Sequence, residues 1–194
     1  MPRIDSSKFY TNAIDRFGET PQGLNWLTQE SQEIRFKEIL ALLPKDLSSF
    51  SLADAGCGFG DFYHYLLQQA QKPKHYTGID SLQKMLDIAS KKTQEEILCL
   101  DICTETLPVR DYYVCSGALN ILHPFETHLF LQNCYAASRY ALVFNCLYAD
   151  KESKTYNYLQ KETIEAIALH LNVKKIVYRE NYLENDITIM FMKR

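Results

Sequence analysis

The feature that most constrains this chain is a run of three alternating glycines at residues 56–60, directly after a short apolar stretch that contains Asp54. An amphipathic segment follows at residues 62–70, so the pattern predicts a strand, a tight turn and a helix. Glycine has no Cβ, which lets the backbone turn sharply at positive φ and approach a bound molecule closely. The stretch therefore predicts a ligand-binding loop with a carboxylate beside it.

The order of the glycines narrows the kind of ligand. A dinucleotide loop has the order G-x-G-x-x-G, whereas Gly56, Gly58 and Gly60 are evenly spaced and Asp61 stands where the last glycine would fall. No Gly-Lys-Ser/Thr sequence follows, as a P-loop would require. Asp54 and Asp61 would also place negative charge against a pyrophosphate. We therefore expect a ligand with a cationic or amine-bearing end.

Size and charge set the outer limits. At 194 residues and 46% apolar, the chain predicts one well-buried core with an appendage. Its 21 basic and 24 acidic side chains give a net charge of −3, and without a basic stripe we expect no nucleic-acid partner. The first residues lack an apolar signal core, and no run approaches the ~20 apolar residues of a membrane span. We expect a cytoplasmic protein without membrane segments.

The six cysteines show no C-x-x-C spacing, and they lie in or beside apolar runs. Such residues are typical of buried thiols, so no metal site and no disulfide scaffold is predicted.

Beyond the loop, strand-like runs at residues 75–79, 96–100, 111–115 and 139–146 alternate with helical patterns. This alternation predicts an α/β fold with a parallel sheet, whose ligand crevice lies at the carboxyl ends of the strands. A helical stretch at residues 156–171 precedes two β-rich runs, 173–178 and 187–191. Their short connection can join only antiparallel neighbours, so the sheet should end in an antiparallel hairpin.

Polar residues follow five of the predicted strands, namely Asp54, Asp80, Asp101, Ser116 and Asn145. Asp80 lies 80 − 60 = 20 residues after Gly60, close to the ~20 expected for an acid that binds ribose hydroxyls. The alternative is that Asp80 or Ser81 caps the following helix.

The first 45 residues predict two helices, at residues 6–17 and 29–43, joined by a turn-rich link. We expect residues 1–45 to form an N-terminal helical lid on a core at residues 46–194. Tyr10 and Trp26 are the candidate ligand contacts there, and simple packing onto the core is the alternative.

These motifs resemble the class I S-adenosylmethionine-dependent methyltransferases. The stretch from Asp54 to Gly60 matches that family's acid-x-Gly-x-Gly-x-Gly loop, and residues 76–80 match its second motif. The resemblance implies a Rossmann-like seven-stranded, mostly parallel sheet with an antiparallel last strand, helices on both faces and S-adenosyl-L-methionine as cofactor. The cofactor contacts it implies in the core are Asp54, Ala55, Gly56, Cys57, Gly58, Gly60, Asp80, Ser81, Met85, Asp101, Ile102, Ser116 and Gly117.

The N-terminal residues are similar, more weakly, to a small bacterial branch grouped with trans-aconitate-type methyltransferases. This likeness adds Tyr10, Trp26 and Arg35 as cofactor-site candidates, with Arg35 as a partner for a carboxylate. A helix-surface arginine without such a role is the alternative.

The implied chemistry is in-line displacement at a sulfonium methyl, for which the protein orients a nucleophile and excludes water. His123 is the candidate base for an acceptor that carries a proton, although His123-Pro124 also suits an ordinary helix entry. Because the Asn/Asp-Pro-Pro-Tyr/Phe element of nucleobase and glutamine methylation is absent, we expect a small-molecule acceptor with a carboxylate or hydroxyl oxygen. Phe125, Tyr148 and Tyr156 are predicted to line its pocket.

Two other functions remain open at this point. One is a non-catalytic S-adenosylmethionine-binding regulatory or partner protein, which would keep the same cofactor motif. The other is a nicotinamide-dependent oxidoreductase, against which the even glycine spacing and the closing hairpin weigh. The oligomeric state is left open as well.

Overall fold

The computed structural model describes residues 4–194, which form a mixed sheet with helices packed around it. The helices are α1 Ser6–Phe17, α2 Gln29–Leu40, α3 Asp61–Gln68, α4 Gln83–Thr93, α5 Pro124–Ala137 and α6 Lys161–His170, with short 3-10 helices at Pro21–Leu24 and Ala118–Ile121. The strands are β1 Ser51–Ala55, β2 His75–Asp80, β3 Glu96–Cys99, β4 Arg110–Ser116, β5 Ser138–Tyr148, β6 Tyr158–Leu159, β7 Lys175–Arg179 and β8 Asp186–Met192.

The sheet has the strand order β3-β2-β1-β4-β5-β8-β7, and the two-residue strand β6 pairs with the end of β5. Every pair is parallel except those of β8, which runs antiparallel to both β5 and β7. The order reverses direction between β1 and β4, which is the point where open α/β sheets form a ligand crevice. The predicted Rossmann-like, mostly parallel sheet with an antiparallel last strand is confirmed.

Two predicted helices have different bounds in the structure. The predicted helix at residues 156–171 is wrong in its first turn, because Tyr158 pairs with Leu147 of β5 and the Asn157 amide donates to the Asn120 carbonyl oxygen at 2.7 Å. Helix α2 ends at Leu40 instead of residue 43, since the chain there tightens into i→i+3 hydrogen bonds.

Successive residues of the central strands face opposite sides of the sheet, and each side has its own core. Leu52 of β1 and Val114 of β4 pack with residues of α2 and α3. Ala53 and Cys115, one position along, pack instead with residues of α5 and α6. Both faces of the sheet are therefore covered by helices, as in parallel α/β proteins, and the ligand crevice lies at the strand ends.

A third, smaller cluster joins the N-terminal segment to the core. Ile14 of α1 packs against Phe59 of the glycine loop and Met85 of α4, and all three are buried. Across residues 4–194, no helix combines the length and the apolar character that a bilayer crossing requires.

Candidate functional site

A cavity of about 540 Å³ opens at the carboxyl ends of the central strands. Its walls come from the glycine loop, from the ends of β1, β2 and β4, from the first turn of α5 and from the N-terminal segment. Its volume lies within the range of about 300–1,000 Å³ that is usual for small-molecule and cofactor sites.

The glycine loop forms the base of this cavity. Gly56 has φ +77°, and a Cβ on it would lie 2.5 Å from the Cβ of Ala118, so only glycine fits there. The backbone N–H groups of Gly56 and Cys57 both donate to the Ile79 carbonyl oxygen, which ties the loop to β2. Gly56, Cys57 and Gly58 line the cavity.

Two of the predicted loop residues do not line the cavity. Ala55, the last residue of β1, is fully buried in the core. Gly60 is the N-cap of α3 with φ +79°, where a Cβ would lie 2.4 Å from Thr93 Cγ2. Both residues support the shape of the loop without lining the cavity.

Asp54 is a buried carboxylate at the end of β1 that reaches the cavity. Its Oδ2 accepts a hydrogen bond of 2.7 Å from the Tyr76 hydroxyl. Burial, together with the nearby Asp80 and Asp61 carboxylates, raises the pKa of Asp54 to about 7, and the Tyr76 hydrogen bond limits this rise. Asp54 is thus a proton-binding group near neutral pH.

Asp80 connects the end of β2 to the glycine loop. Its Oδ2 accepts from the Gly58 amide at 3.1 Å, and its Oδ1 accepts from the Leu82 amide at 3.1 Å. Burial raises the pKa of Asp80, and these backbone hydrogen bonds lower it in part. The helix-cap alternative is wrong, because the N-cap residue of α4 is Leu82 and no side chain caps that helix. Asp80, Ser81 and Met85 all line the cavity.

The ends of β3 and β4 bring four further predicted residues to the cavity, namely Asp101, Ile102, Ser116 and Gly117. One oxygen of Asp101 accepts from the Cys103 amide at 2.9 Å. Asn145 of β5 fixes the turn after β4, since its Oδ1 accepts from the Gly117 amide at 3.1 Å. Asn145 itself is buried and positions the loop that contains Ser116 and Gly117.

The N-terminal segment lies against these loops through contacts with glycines. Gly117 has φ +81°, and a Cβ there would lie 2.5 Å from Cη2 of Trp26, so the indole rests directly on this glycine. Leu24 contacts Gly58 in the same way, with its Cδ2 3.1 Å from where a Cβ would be. Tyr10 and Trp26 line the cavity, as predicted for ligand contacts.

Arg35 is not among the residues that line the cavity. Its Nε donates to Asp186 Oδ1 at 2.8 Å, a second guanidinium nitrogen pairs with the other Asp186 oxygen, and a third bond reaches the Ser31 carbonyl oxygen at 2.9 Å. The guanidinium also lies 4.9 Å from the centre of the Trp26 ring. Arg35 therefore joins α2 to β8 and to Trp26, in contrast to its prediction as a cofactor contact.

His123 lines the cavity and is also the N-cap residue of α5. Its Nδ1 accepts from the Phe125 amide at 3.3 Å, and its own backbone N–H donates to Glu126 Oε2 at 3.1 Å. This reciprocal pair is a capping box. The helix-entry alternative is therefore observed. Since Nδ1 accepts a hydrogen bond in the cap, Nε2 carries the ring hydrogen of the neutral imidazole.

The acceptor pocket predicted from aromatic residues is present in part. Phe125 and Tyr156 line the cavity, whereas Tyr148 packs against the main core instead. Sequence reasoning missed Gln32, a cavity residue that is 4% exposed and donates to Asp61 Oδ2 at 3.3 Å. Its signal was a glutamine on the buried side of α2, close to the apolar position of Phe36.

The charges around the cavity are of one sign. Within the described part of the chain its lining includes five carboxylates and neither lysine nor arginine; the acids are Asp54, Asp61, Asp80, Asp101 and Glu126. A surface of this kind favours a ligand with a cationic end. No group of three or more metal-binding side chains that could hold an ion occurs among residues 4–194.

Comparison with known proteins agrees with this architecture. Residues 52–140 match the family model of a methyltransferase domain. The putative methyltransferase Rv1506c of Mycobacterium tuberculosis is 35% identical over 106 residues, which is 50% of this chain and 63% of that protein. The chain thus spans somewhat less than two thirds of the length of this curated relative.

Solved structures show the same fold at low sequence identity. Magnesium protoporphyrin IX methyltransferase of Synechocystis PCC 6803 with bound S-adenosylhomocysteine superposes with a TM-score of 0.70 at 14% identity, covering 96% of each chain. Human N-acetylserotonin methyltransferase in complex with S-adenosylmethionine has a TM-score of 0.72 at 15% identity, covering 98% of this chain and 60% of that one.

The trans-aconitate-type branch suggested by the N-terminal residues stays a prediction. The glycine loop, the strand order and the methyltransferase-domain match over residues 52–140 all agree with the resemblance to the class I S-adenosylmethionine-dependent methyltransferases.

Proposed function

We propose that this protein transfers the methyl group of S-adenosylmethionine to a small-molecule acceptor in the cavity at the strand ends. The observation that supports it most directly is the acidic cavity in which the glycine loop, Asp80 and the residues after β3 and β4 meet. A cofactor with an ammonium and a sulfonium group suits a lining whose described residues include five acids and neither lysine nor arginine, although Lys92 offsets one of these acids, Asp61.

The residues around the cavity are of types that can bind S-adenosylmethionine. Each Asp80 oxygen accepts one backbone N–H, and a carboxylate oxygen has a second lone pair, so Asp80 can also accept from the ribose hydroxyls. Asp101 and Ile102 would flank the adenine. Asp54 would face the amino-acid end, together with the loop between Gly56 and Gly58.

When bound, the cofactor supplies an electrophilic methyl group, so the chain mainly has to orient an acceptor and exclude water. We assign water exclusion to the N-terminal segment, residues 1–45, as a cover over the core at residues 46–194. Tyr10 and Trp26 of this segment line the cavity.

His123 is the proposed base for an acceptor that must lose a proton. Because Nδ1 accepts from the Phe125 amide in the helix cap, Nε2 carries the ring hydrogen in that tautomer. To act as a base at Nε2, the ring would move its hydrogen to Nδ1 and give up this cap bond of 3.3 Å. A His123→Asn variant keeps a side chain that caps helices well but removes the base. We expect methyl transfer to fall by about 100-fold, with unchanged cofactor affinity and unfolding free energy. Wild-type turnover in this variant would exclude His123 from proton transfer.

Of the two acceptor oxygens predicted from the sequence, carboxylate and hydroxyl, the carboxylate now has less support. A carboxylate acceptor depended on a basic partner such as Arg35, and the structure pairs Arg35 with Asp186. A hydroxyl acceptor would rely on His123 alone.

Incubation of the purified chain with methyl-labelled S-adenosylmethionine and a panel of metabolites tests the proposed function. We expect S-adenosylhomocysteine to form only when an acceptor is present. Cofactor binding without transfer across the panel would favour the non-catalytic alternative. Binding of NADH without binding of S-adenosylmethionine would favour the oxidoreductase.

A further inference from the structure

The basic side chains nearest to the cavity already have partners. Arg35 is paired with Asp186, and Lys92 lies 3.4 Å from Asp61 Oδ1 and 5.4 Å from the centre of the Phe59 ring. Neither lysine nor arginine is found on the cavity lining within residues 4–194. Among the described lining residues, an acceptor carboxylate would therefore find no lysine or arginine to pair with, and its desolvation would be costly.

Aromatic side chains are also part of the cavity lining. Phe125 is 67% exposed and Tyr156 is 39% exposed, although both line the cavity. Tyr10 lies close enough to Tyr156 and Asp80 for their charges to raise its pKa, in addition to the effect of burial. Aromatic faces attract ammonium groups, and exposed apolar side chains at a cavity are typical of surfaces that a ligand covers.

The charge balance of methyl transfer distinguishes the acceptor atoms. A neutral amine nitrogen forms the new N–C bond with its lone pair, while the C–S bond breaks and its electron pair stays on sulfur. One positive charge thus moves from sulfur to nitrogen and remains among the carboxylates. A carboxylate acceptor would lose both charges in the same step, and a hydroxyl would first have to become an oxyanion among acids.

An amine that enters as an ammonium ion must lose a proton before it can react. His123 is the described group that could take this proton at Nε2, once its ring hydrogen lies on Nδ1 and the 3.3 Å bond from the Phe125 amide to Nδ1 is given up. The imidazole would then release the proton to solvent. Amine chemistry thus uses the same base as the proposed function.

From these observations we infer that the acceptor is an organic amine with an aromatic or apolar body, methylated on nitrogen, and not a carboxylic acid. This inference rests on the proposed function, because it names the substrate class of the same cavity.

Paired ligands of matched size test the inference. We would titrate 2-phenylethylamine, 3-phenylpropanoate and 2-phenylethanol into the wild-type chain saturated with S-adenosylhomocysteine, at neutral pH and low salt. The expected result is an affinity for the amine at least tenfold above that for the acid, with a ratio that shrinks as salt is added. Equal affinities, including no binding of either, or tighter binding of the acid would overturn the inference.

Two substitutions at Tyr156 separate the aromatic contribution from general packing. Tyr156→Phe keeps the ring, and Tyr156→Leu removes it from a partly exposed position where folding should be unaffected. We expect the leucine variant to bind the amine about three- to tenfold more weakly, and the phenylalanine variant to stay within about twofold. The same loss for the acid in the leucine variant would contradict a role for the ring in amine selection.

The two proposals can fail separately. Absence of S-adenosylhomocysteine binding would contradict the proposed function, and the ratio of amine to acid affinity on the free chain would still decide the charge preference of the cavity. Cofactor binding followed by methylation of the acid or the alcohol in place of the amine would confirm the function and overturn the amine assignment.

Discussion

The two sides of the cavity are held in place by different forces. We call residues 54–60, Asp80 and residues 116–117 the cavity floor, and the described residues of the N-terminal segment, 4–45, the N-terminal cover. The floor is fixed by buried hydrogen bonds between adjacent strands and loops, such as those from Gly58 to Asp80 and from Tyr76 to Asp54. The cover is held by side chains resting on glycines and by the ion pair of Arg35 with Asp186. We therefore expect floor variants to change the chemistry of the site, and cover variants to change how firmly the cavity is enclosed.

The largest expected effect is the pH dependence of the unfolding free energy that Asp54 of the floor causes. The pKa of Asp54 is about 7 in the folded protein against 3.8 in the unfolded reference. The folded state therefore binds more protons in this window, so the stabilisation is complete below about pH 4 and is lost as pH rises through about 7. We expect Asp54→Asn to remove this loss, which is on the order of 4 kcal/mol. Urea unfolding of both proteins between pH 4 and 8 measures it, and parallel curves would contradict the assignment.

A second floor prediction concerns cofactor affinity. In Asp80→Asn, one oxygen becomes an amide group that cannot accept from Gly58 or Leu82, and the charge-assisted bonds are lost. We expect S-adenosylmethionine to bind more than about 100-fold more weakly, or about 3 kcal/mol. Asp87→Asn, on an exposed position of α4, is the matched control and should bind as the wild type does. A loss below about fivefold in Asp80→Asn would show that the cofactor does not depend on this carboxylate.

A third prediction concerns the ion pair that holds the cover. The side chains of Arg35 and Asp186 are 11% and 2% exposed, so Arg35→Met leaves a buried carboxylate without its partner. We expect the free energy of unfolding to fall by about 3 kcal/mol. The control is Lys84→Met, because Lys84 pairs with Asp15 and both side chains are exposed, at 44% and 62%, so the loss should be about 0–1 kcal/mol. Equal losses of unfolding free energy in the two variants would show that the Arg35 pair stabilises the fold no more than the control pair does.

The smallest expected effect reports on the contact between cover and floor. Gly117→Ala would push the Trp26 indole away, whereas Gly18→Ala meets nothing within 4 Å, although both glycines have positive φ. Both variants should lose about 1–2 kcal/mol to backbone strain. Since Trp26 is the chain's one tryptophan, only Gly117→Ala should shift the fluorescence to longer wavelength. A similar shift in Gly18→Ala would mean that the cover loosens for any backbone strain.

The floor could be predicted from the sequence, and much of the cover could not. Asp80 and the glycine loop follow strands whose apolar pattern is local, and their roles depend on neighbours in the sheet. Arg35 was assigned to the ligand because its partner Asp186 lies 151 residues further along the chain. The first turn of the predicted helix at residues 156–171 was wrong for a similar reason, since pairing with β5 overrides local helical spacing.

The aromatic residues likewise divide into those whose position the sequence predicted and one whose position it did not. Tyr10, Trp26, Phe125 and Tyr156 were named from composition and position, and they do line the cavity. Tyr148 looked equivalent in the sequence but faces the main core. Which side a residue faces at the end of a strand depends on register and tertiary packing, and neither can be read from a single chain.

The most direct test of the account is calorimetric titration of the purified chain with S-adenosylmethionine, S-adenosylhomocysteine and NADH. We expect both adenosyl compounds to bind with micromolar affinity and NADH not to bind, because the described lining of the cavity includes five acids and neither lysine nor arginine for a pyrophosphate. Binding of NADH without binding of either adenosyl compound would contradict the account and favour an oxidoreductase.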